Sequence, residues 1–147
     1  MLDDNENIRM HELIEFVMSN ALTYQTFTGA FVIKNNEIVC KEMTSVVKEN
    51  DPIAHAELKV IQTAIKKYGM NLEAFQLYTT QKPCVMCASA IVWAGIKEVY
   101  FGMNTNHHWQ YDKEIHDFFN RNGVKCVGPI LEEECKKIDQ LLIDHGM

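Results

Sequence analysis

The strongest constraint on the fold is an alternation. Along 147 residues, short β-branched runs take turns with longer stretches whose apolar residues recur at helical spacing. Ile8 to Leu22 carries Leu13, Ile14, Phe16, Val17 and Ala21 close to a helical stripe, and Thr23 to Gly29 breaks it. Ala30 to Ile33 and Glu37 to Met43 read as antiparallel strands joined at Asn35-Asn36, a pair suited to a hairpin turn. Asn50-Asp51-Pro52 then introduces a helix from Ala54 to Tyr68 that Gly69 stops. Phe75 to Thr79 is a strand, Cys84 to Trp93 a helix introduced by Pro83, and Glu98 to Phe101 a strand. An irregular stretch from Gly102 to Gln110 leads to a helix at Lys113 to Asn120, a strand at Val124 to Val127 and a last helix from Leu131 to Ile143. About five strands with helices between them predict an α/β fold, a mixed sheet covered by helices on both faces. No linker divides the pattern, so 1–147 is expected to be one domain.

A chain of this length buries roughly 70% of the surface its unfolded form exposes, enough for a sizeable core. With 47% hydrophobic and 23% charged residues, the composition is that of an ordinary globular protein and excludes disordered or fibrous classes. Apolar stretches such as Ala88 to Ala94 fall far short of the ~20 residues of a membrane span. Asp3, Asp4 and Glu6 stand where an export signal would be basic and then apolar, which predicts a cytoplasmic protein. The five cysteines then suggest metal-binding or buried thiols rather than a disulfide framework. Fourteen Lys and Arg against twenty Asp and Glu give a net charge of −6, which disfavours nucleic acid as a partner. The doublets Lys66-Lys67 and Lys136-Lys137 read as solvated helix surface.

The chemistry concentrates in two short blocks, His55-Ala56-Glu57 and Pro83-Cys84-Val85-Met86-Cys87. Together they match a His-x-Glu and Pro-Cys-x-x-Cys signature in which His and two Cys hold Zn²⁺ and the Glu, not itself a ligand, is general acid and base. Cys84 and Cys87, three apart, face the same way on one helical turn, and a helix N-terminus favours the thiolate form. His55 and Glu57, two apart, would diverge by about 200° on a regular helix, so they converge only if His55 sits at the helix start. Three protein ligands leave a fourth position for a water whose pKa falls to about 7. Glu57 then takes the water proton, hydroxide adds to an amidine-like carbon, and Glu57 returns protons to the ring nitrogen and departing ammonia.

Simpler assignments exist. A structural zinc site needs a fourth ligand, for which Cys40, Cys126, Cys135, His107 and His108 are candidates, but only the adjacent histidines are paired at ligand spacing. A redox Cys-x-x-Cys pair leaves His55 and Glu57 unexplained. Cys40, Cys126 and Cys135 read as buried small hydrophobes, and His11, His116 and His145 as surface or capping residues.

From Asn50 to Gly102 the chain resembles the guanine deaminase and tRNA adenosine deaminase branch of the cytidine deaminase superfamily. Asp51-Pro52-Ile53-Ala54-His55-Ala56-Glu57 and Pro83-Cys84-Val85-Met86-Cys87-Ala88 carry the resemblance, with Gly29-Ala30 a weaker match upstream. It implies a three-layer α/β/α cytidine deaminase-like fold around a five-stranded sheet, one zinc per subunit and commonly a homodimer. It also implies substrate contacts at Thr44, Ala56, Trp93 and Asp112. Thr44 stands where relatives usually carry a substrate-binding Asn, and a hydroxyl cannot offer the amide's donor and acceptor pair. Asn104 to Gln110, with His107, His108 and Trp109, lacks the small loop of the tRNA enzymes. Trp93 and Tyr111-Asp112 are similar to the guanine deaminase pattern, although Trp93 also suits core packing and Asp112 a helix cap.

The expected function is zinc-dependent hydrolytic deamination of a free nucleobase or nucleoside, a guanine-like purine favoured. A tRNA-specific adenosine deaminase is the alternative, and a non-catalytic binding protein on the same fold a lesser one.

Overall fold

The computed structural model describes residues 4–104 and 112–147. In chain order the elements are α1 (Asp4–Tyr24), β1 (Gly29–Lys34), β2 (Glu37–Met43), α2 (Val46–Glu49), α3 (Ala56–Tyr68), β3 (Gln76–Gln81), α4 (Val85–Trp93), β4 (Glu98–Met103), α5 (Asp112–Arg121), β5 (Lys125–Val127) and α6 (Glu132–Asp144). The five strands form one sheet in the order β2-β1-β3-β4-β5. β1 pairs antiparallel with β2 and β3, whereas β3, β4 and β5 run parallel, so the sheet is mixed as expected.

Side chains of successive strand residues alternate between faces, and each face has its own core. Ala30, Val32, Leu77 and Val99 pack with Val60 and Ile61 of α3, Ile91 of α4 and Phe119 of α5. Phe31, Ile33, Tyr78 and Tyr100 pack with Leu13 and Val17 of α1 and Ile138 and Leu142 of α6. Helices therefore cover both faces, giving three α/β/α layers. Cys40 and Cys135 are buried as expected, whereas Cys126 is half-buried.

The β1–β2 hairpin turns at Asn35 and Asn36, both at positive φ (50° and 62°), which asparagine tolerates better than most residues. Several boundaries differ from expectation. Expected from Ala54, α3 begins at Ala56 with His55 as its N-cap, and Cys84 likewise caps α4 instead of opening it. β3 and β4 each run two residues further than expected, to Gln81 and Met103. The one-turn α2 was not legible, because four residues show no helical period. None of the described helices is long and apolar enough to cross a membrane.

Candidate metal centre and its cavity

The His55 block is held in place by the protein's own hydrogen bonds. The Ser45 N–H donates to Ala54 O, and the Asp51 carboxylate accepts the Ile53 N–H at 3.0 Å. From α3, Lys59 donates to Met43 O at 2.9 Å and to Ser45 Oγ at 2.8 Å, and its ammonium lies 3.5 Å from Glu42. These bonds tie the first turn of α3 to the end of β2. As N-cap, His55 is extended (φ −79°, ψ 143°), outside the helical winding that would separate it from Glu57. The predicted conflict of angles is thereby removed, one residue earlier than a first-turn placement would do it.

The second block enters from the parallel half of the sheet. Lys82 N–H donates to Met103 O at 2.9 Å, extending the β3–β4 pairing up to Pro83. Thr80 Oγ donates to Phe27 O at 3.0 Å and accepts the Gly29 N–H at 3.2 Å, which locks the end of β3 to the start of β1. The carboxyl ends of β3 and β4 thus face the amino end of β1, where open α/β sheets place their ligands.

His55 Nδ1 lies 3.6 Å from Cys84 Sγ and 3.7 Å from Cys87 Sγ. Bonds of about 2.3 Å to sulfur and 2.0 Å to nitrogen at tetrahedral angles separate the ligand atoms by roughly 3.5 to 3.8 Å, so the trio is spaced to hold zinc. Among the described residues it is the group of His, Cys and carboxylate side chains so arranged. Cys40, Cys126 and Cys135 stay outside it, and His107 and His108 lie outside the described residues. The contact with Cys87, helped by His55 against the opposing effect of burial, holds the Cys84 thiol at about 4, the thiolate form that binds metal. Cys87 is pushed the other way, by its bond to Cys84 and then by burial.

Glu57 is 4% exposed, and burial pushes its carboxyl up to about 7 against the opposing pull of its own backbone N–H. The Cys84 thiolate raises it further, while His55 and Thr79 lower it. Its Oε1 has no hydrogen-bond partner. A carboxyl poised near neutrality with a free oxygen is equipped to take and give a proton. Glu57, His55 and Cys84 share a cavity of about 1120 Å³ whose wall includes Phe27, Thr44 and Met103.

Residues 5–103 match the cytidine and deoxycytidylate deaminase zinc-binding region. The chain belongs to that family. The tRNA-specific adenosine deaminase of Bacillus subtilis (strain 168) is 41% identical over 120 residues, covering 73% of this chain and 69% of that one. Guanine deaminase of the same organism is 40% identical over 74 residues, half of this chain and 47% of its own. Among solved structures, a guanine deaminase from Nitrosomonas europaea superposes with a TM-score of 0.83 over 93% of this chain and 84% of that one; at 19% identity this is a likeness of fold. The protein is a zinc-dependent hydrolytic deaminase, and His55, Cys84 and Cys87 are the residues fitted to hold the metal.

The deaminase places its remaining expected contacts unevenly. Thr44 lines the cavity, and its hydroxyl accepts the backbone N–H of Ala56 at 2.9 Å. Two expected substrate contacts are thus bonded to each other. Trp93, at the end of α4, is 88% exposed and is not among the residues of the cavity wall. Packing in the chain's own core is ruled out by the same exposure. Asp112 opens α5, and its side chain, like residues 105–111, lies outside the described part.

Sequence reasoning missed Gln81 and Asp139, which also line the deaminase's cavity. Gln81 lay beyond the expected end of β3. Asp139 left a faint signal: it sits four residues after Cys135 and next to Ile138, an acid on the buried side of α6.

Proposed function

We propose that the deaminase hydrolyses the amino group of a free nucleobase or nucleoside, a guanine-like purine foremost, with Glu57 as proton carrier. The observation that carries this is the unpartnered Oε1 of a buried Glu57 in the cavity that also exposes His55 and Cys84. Zinc, when bound, supplies the Lewis acidity that brings the pKa of a water to about 7. Glu57 Oε1 takes one proton of the attacking water and delivers it to the ring nitrogen beside the reacting carbon. A carbon–oxygen bond forms there. The same carboxylate passes the second proton to the amine, the carbon–nitrogen bond breaks, and ammonia leaves. Thr44, whose oxygen already accepts from Ala56, has its hydroxyl proton free to bond the ligand. A non-catalytic binding role would have no use for Glu57 in this state.

The choice of a small substrate is supported by charge. The cations on the described cavity wall are Lys82 and Lys136, and Lys136 already pairs with Glu133 at 3.1 Å. On a chain of net charge −6 this is a poor track for phosphates. Editing of adenosine in tRNA is the second reading, favoured by the 41% identity to the B. subtilis tRNA enzyme. The cavity volume has room for a sugar beyond the base, so size alone does not choose between them.

Ammonia release decides it. The zinc-loaded protein should act on guanine or a related base or nucleoside with higher kcat/KM than on a tRNA anticodon stem-loop. A stem-loop preferred over every base and nucleoside would replace this proposal with the tRNA one. A homodimer and a cytoplasmic location complete the proposal. The exposed Trp93 and Val85 on α4 supply apolar surface for a second copy.

A further inference from the structure

Among the described residues, three buried side-chain atoms lack a hydrogen-bond partner: Glu57 Oε1, Gln81 Nε2 and Asp139 Oδ1. All three residues line the one cavity that holds the metal centre. Folded proteins leave few such atoms, and their gathering around one space points to a ligand that brings the missing partners. Proton transfer accounts for Glu57. It does not account for the other two.

Gln81 is 6% exposed at the end of β3, one residue before Lys82-Pro83-Cys84. Asp139 comes from α6, in the layer on the other side of the sheet from α3 and α4. Gln81 presents an N–H donor and Asp139 an oxygen that only accepts when ionised. We infer that Gln81 and Asp139 are specificity-determining residues that read a lactam edge of the substrate ring, Asp139 accepting its N–H and Gln81 donating to its carbonyl oxygen. This rests on the free-base proposal and deepens it. The ligand class is an amino-oxo heterocycle: guanine offers such an edge, whereas 2-aminopurine keeps the reacting amine and lacks it. An adenine ring has acceptor nitrogens only in its six-membered ring and leaves Asp139 unanswered there.

The test compares guanine with 2-aminopurine in wild type, Asp139→Leu, Asp139→Asn and Gln81→Leu, each checked for zinc content and thermal midpoint. Wild type should prefer guanine. Asp139→Leu and Gln81→Leu should lower kcat/KM for guanine by about 10- to 100-fold and leave that for 2-aminopurine within about threefold. Asp139→Asn, which keeps an acceptor oxygen, should recover part of the loss. A purely structural role would lower both substrates together with the midpoint. Equal losses on both substrates, or unchanged guanine kinetics in both leucine variants, would overturn the inference while leaving the free-base proposal standing. A wild-type protein that holds zinc and acts on no base overturns both, and that result is read without any variant.

Discussion

The hydroxyl of Thr44 caps the first N–H of α3, accepting from Ala56 at 2.9 Å across twelve residues of chain. His55, the formal N-cap, makes no side-chain capping bond, so its imidazole is left for the metal. Thr44→Val keeps the shape and removes the acceptor, leaving a buried N–H unsatisfied. Unfolding stability should fall by about 1–3 kcal/mol in chemical denaturation. A change below about 0.3 kcal/mol would remove Thr44 from this role.

Glu57→Gln preserves the size of the side chain but cannot shuttle protons. Turnover should fall by at least about 100-fold on whichever substrate the wild type prefers, while zinc stoichiometry and circular dichroism stay unchanged. Near-normal turnover would remove Glu57 from the role of proton carrier.

Wild-type protein purified without chelator should hold close to one zinc per chain. Cys87→Ser should lose most of it, since the ligand atoms around His55 Nδ1 depend on the second thiol. Elemental analysis of the two proteins side by side provides the measurement. A wild type that never retains a transition metal would contradict the ligand assignment.

Asp139 gives a pH dependence whose sign is determined. Burial raises its folded carboxyl above the ordinary 3.8, so the native state holds this proton more tightly than the unfolded chain does. Its stabilising contribution is complete below 3.8 and is lost as the pH rises through the raised value. Asp139→Asn removes the charged state, so its stability relative to wild type should grow as pH rises and shrink toward acid. Thermal midpoints of both proteins from about pH 3 to pH 8, a range that starts below the unfolded value, show the trend. A gap that widens toward acid would mean that Asp139 is held ionised by a partner.

Trp93→Ser should weaken self-association, which light scattering across a concentration series would reveal, because 88% of a large apolar side chain lies on the surface. An oligomeric state unchanged by the substitution would remove Trp93 from any subunit contact.

What could be read from the chain alone was written in short-range regularities. Among the described residues, period-two and helical apolar patterns placed all five strands and five of the six helices, and the three-residue spacing of Cys84 and Cys87 put both sulfurs on one turn. With the His-x-Glu block, those regularities were enough to single out His55, Cys84 and Cys87 as the trio spaced to hold a metal, and to nominate Glu57 as the proposed proton carrier. The tertiary structure decided the rest of the cavity. Gln81 and Asp139 are 58 residues apart in sequence and meet one space only because β3 ends beside the metal block and α6 packs under the same end of the sheet. Thr44 and Ala56 were both expected as substrate contacts, but not as partners of each other, and of the two only Thr44 lines the cavity. Trp93 could be a core or a cavity residue by spacing alone, because periodicity tells which residues share a face and not what, if anything, covers it.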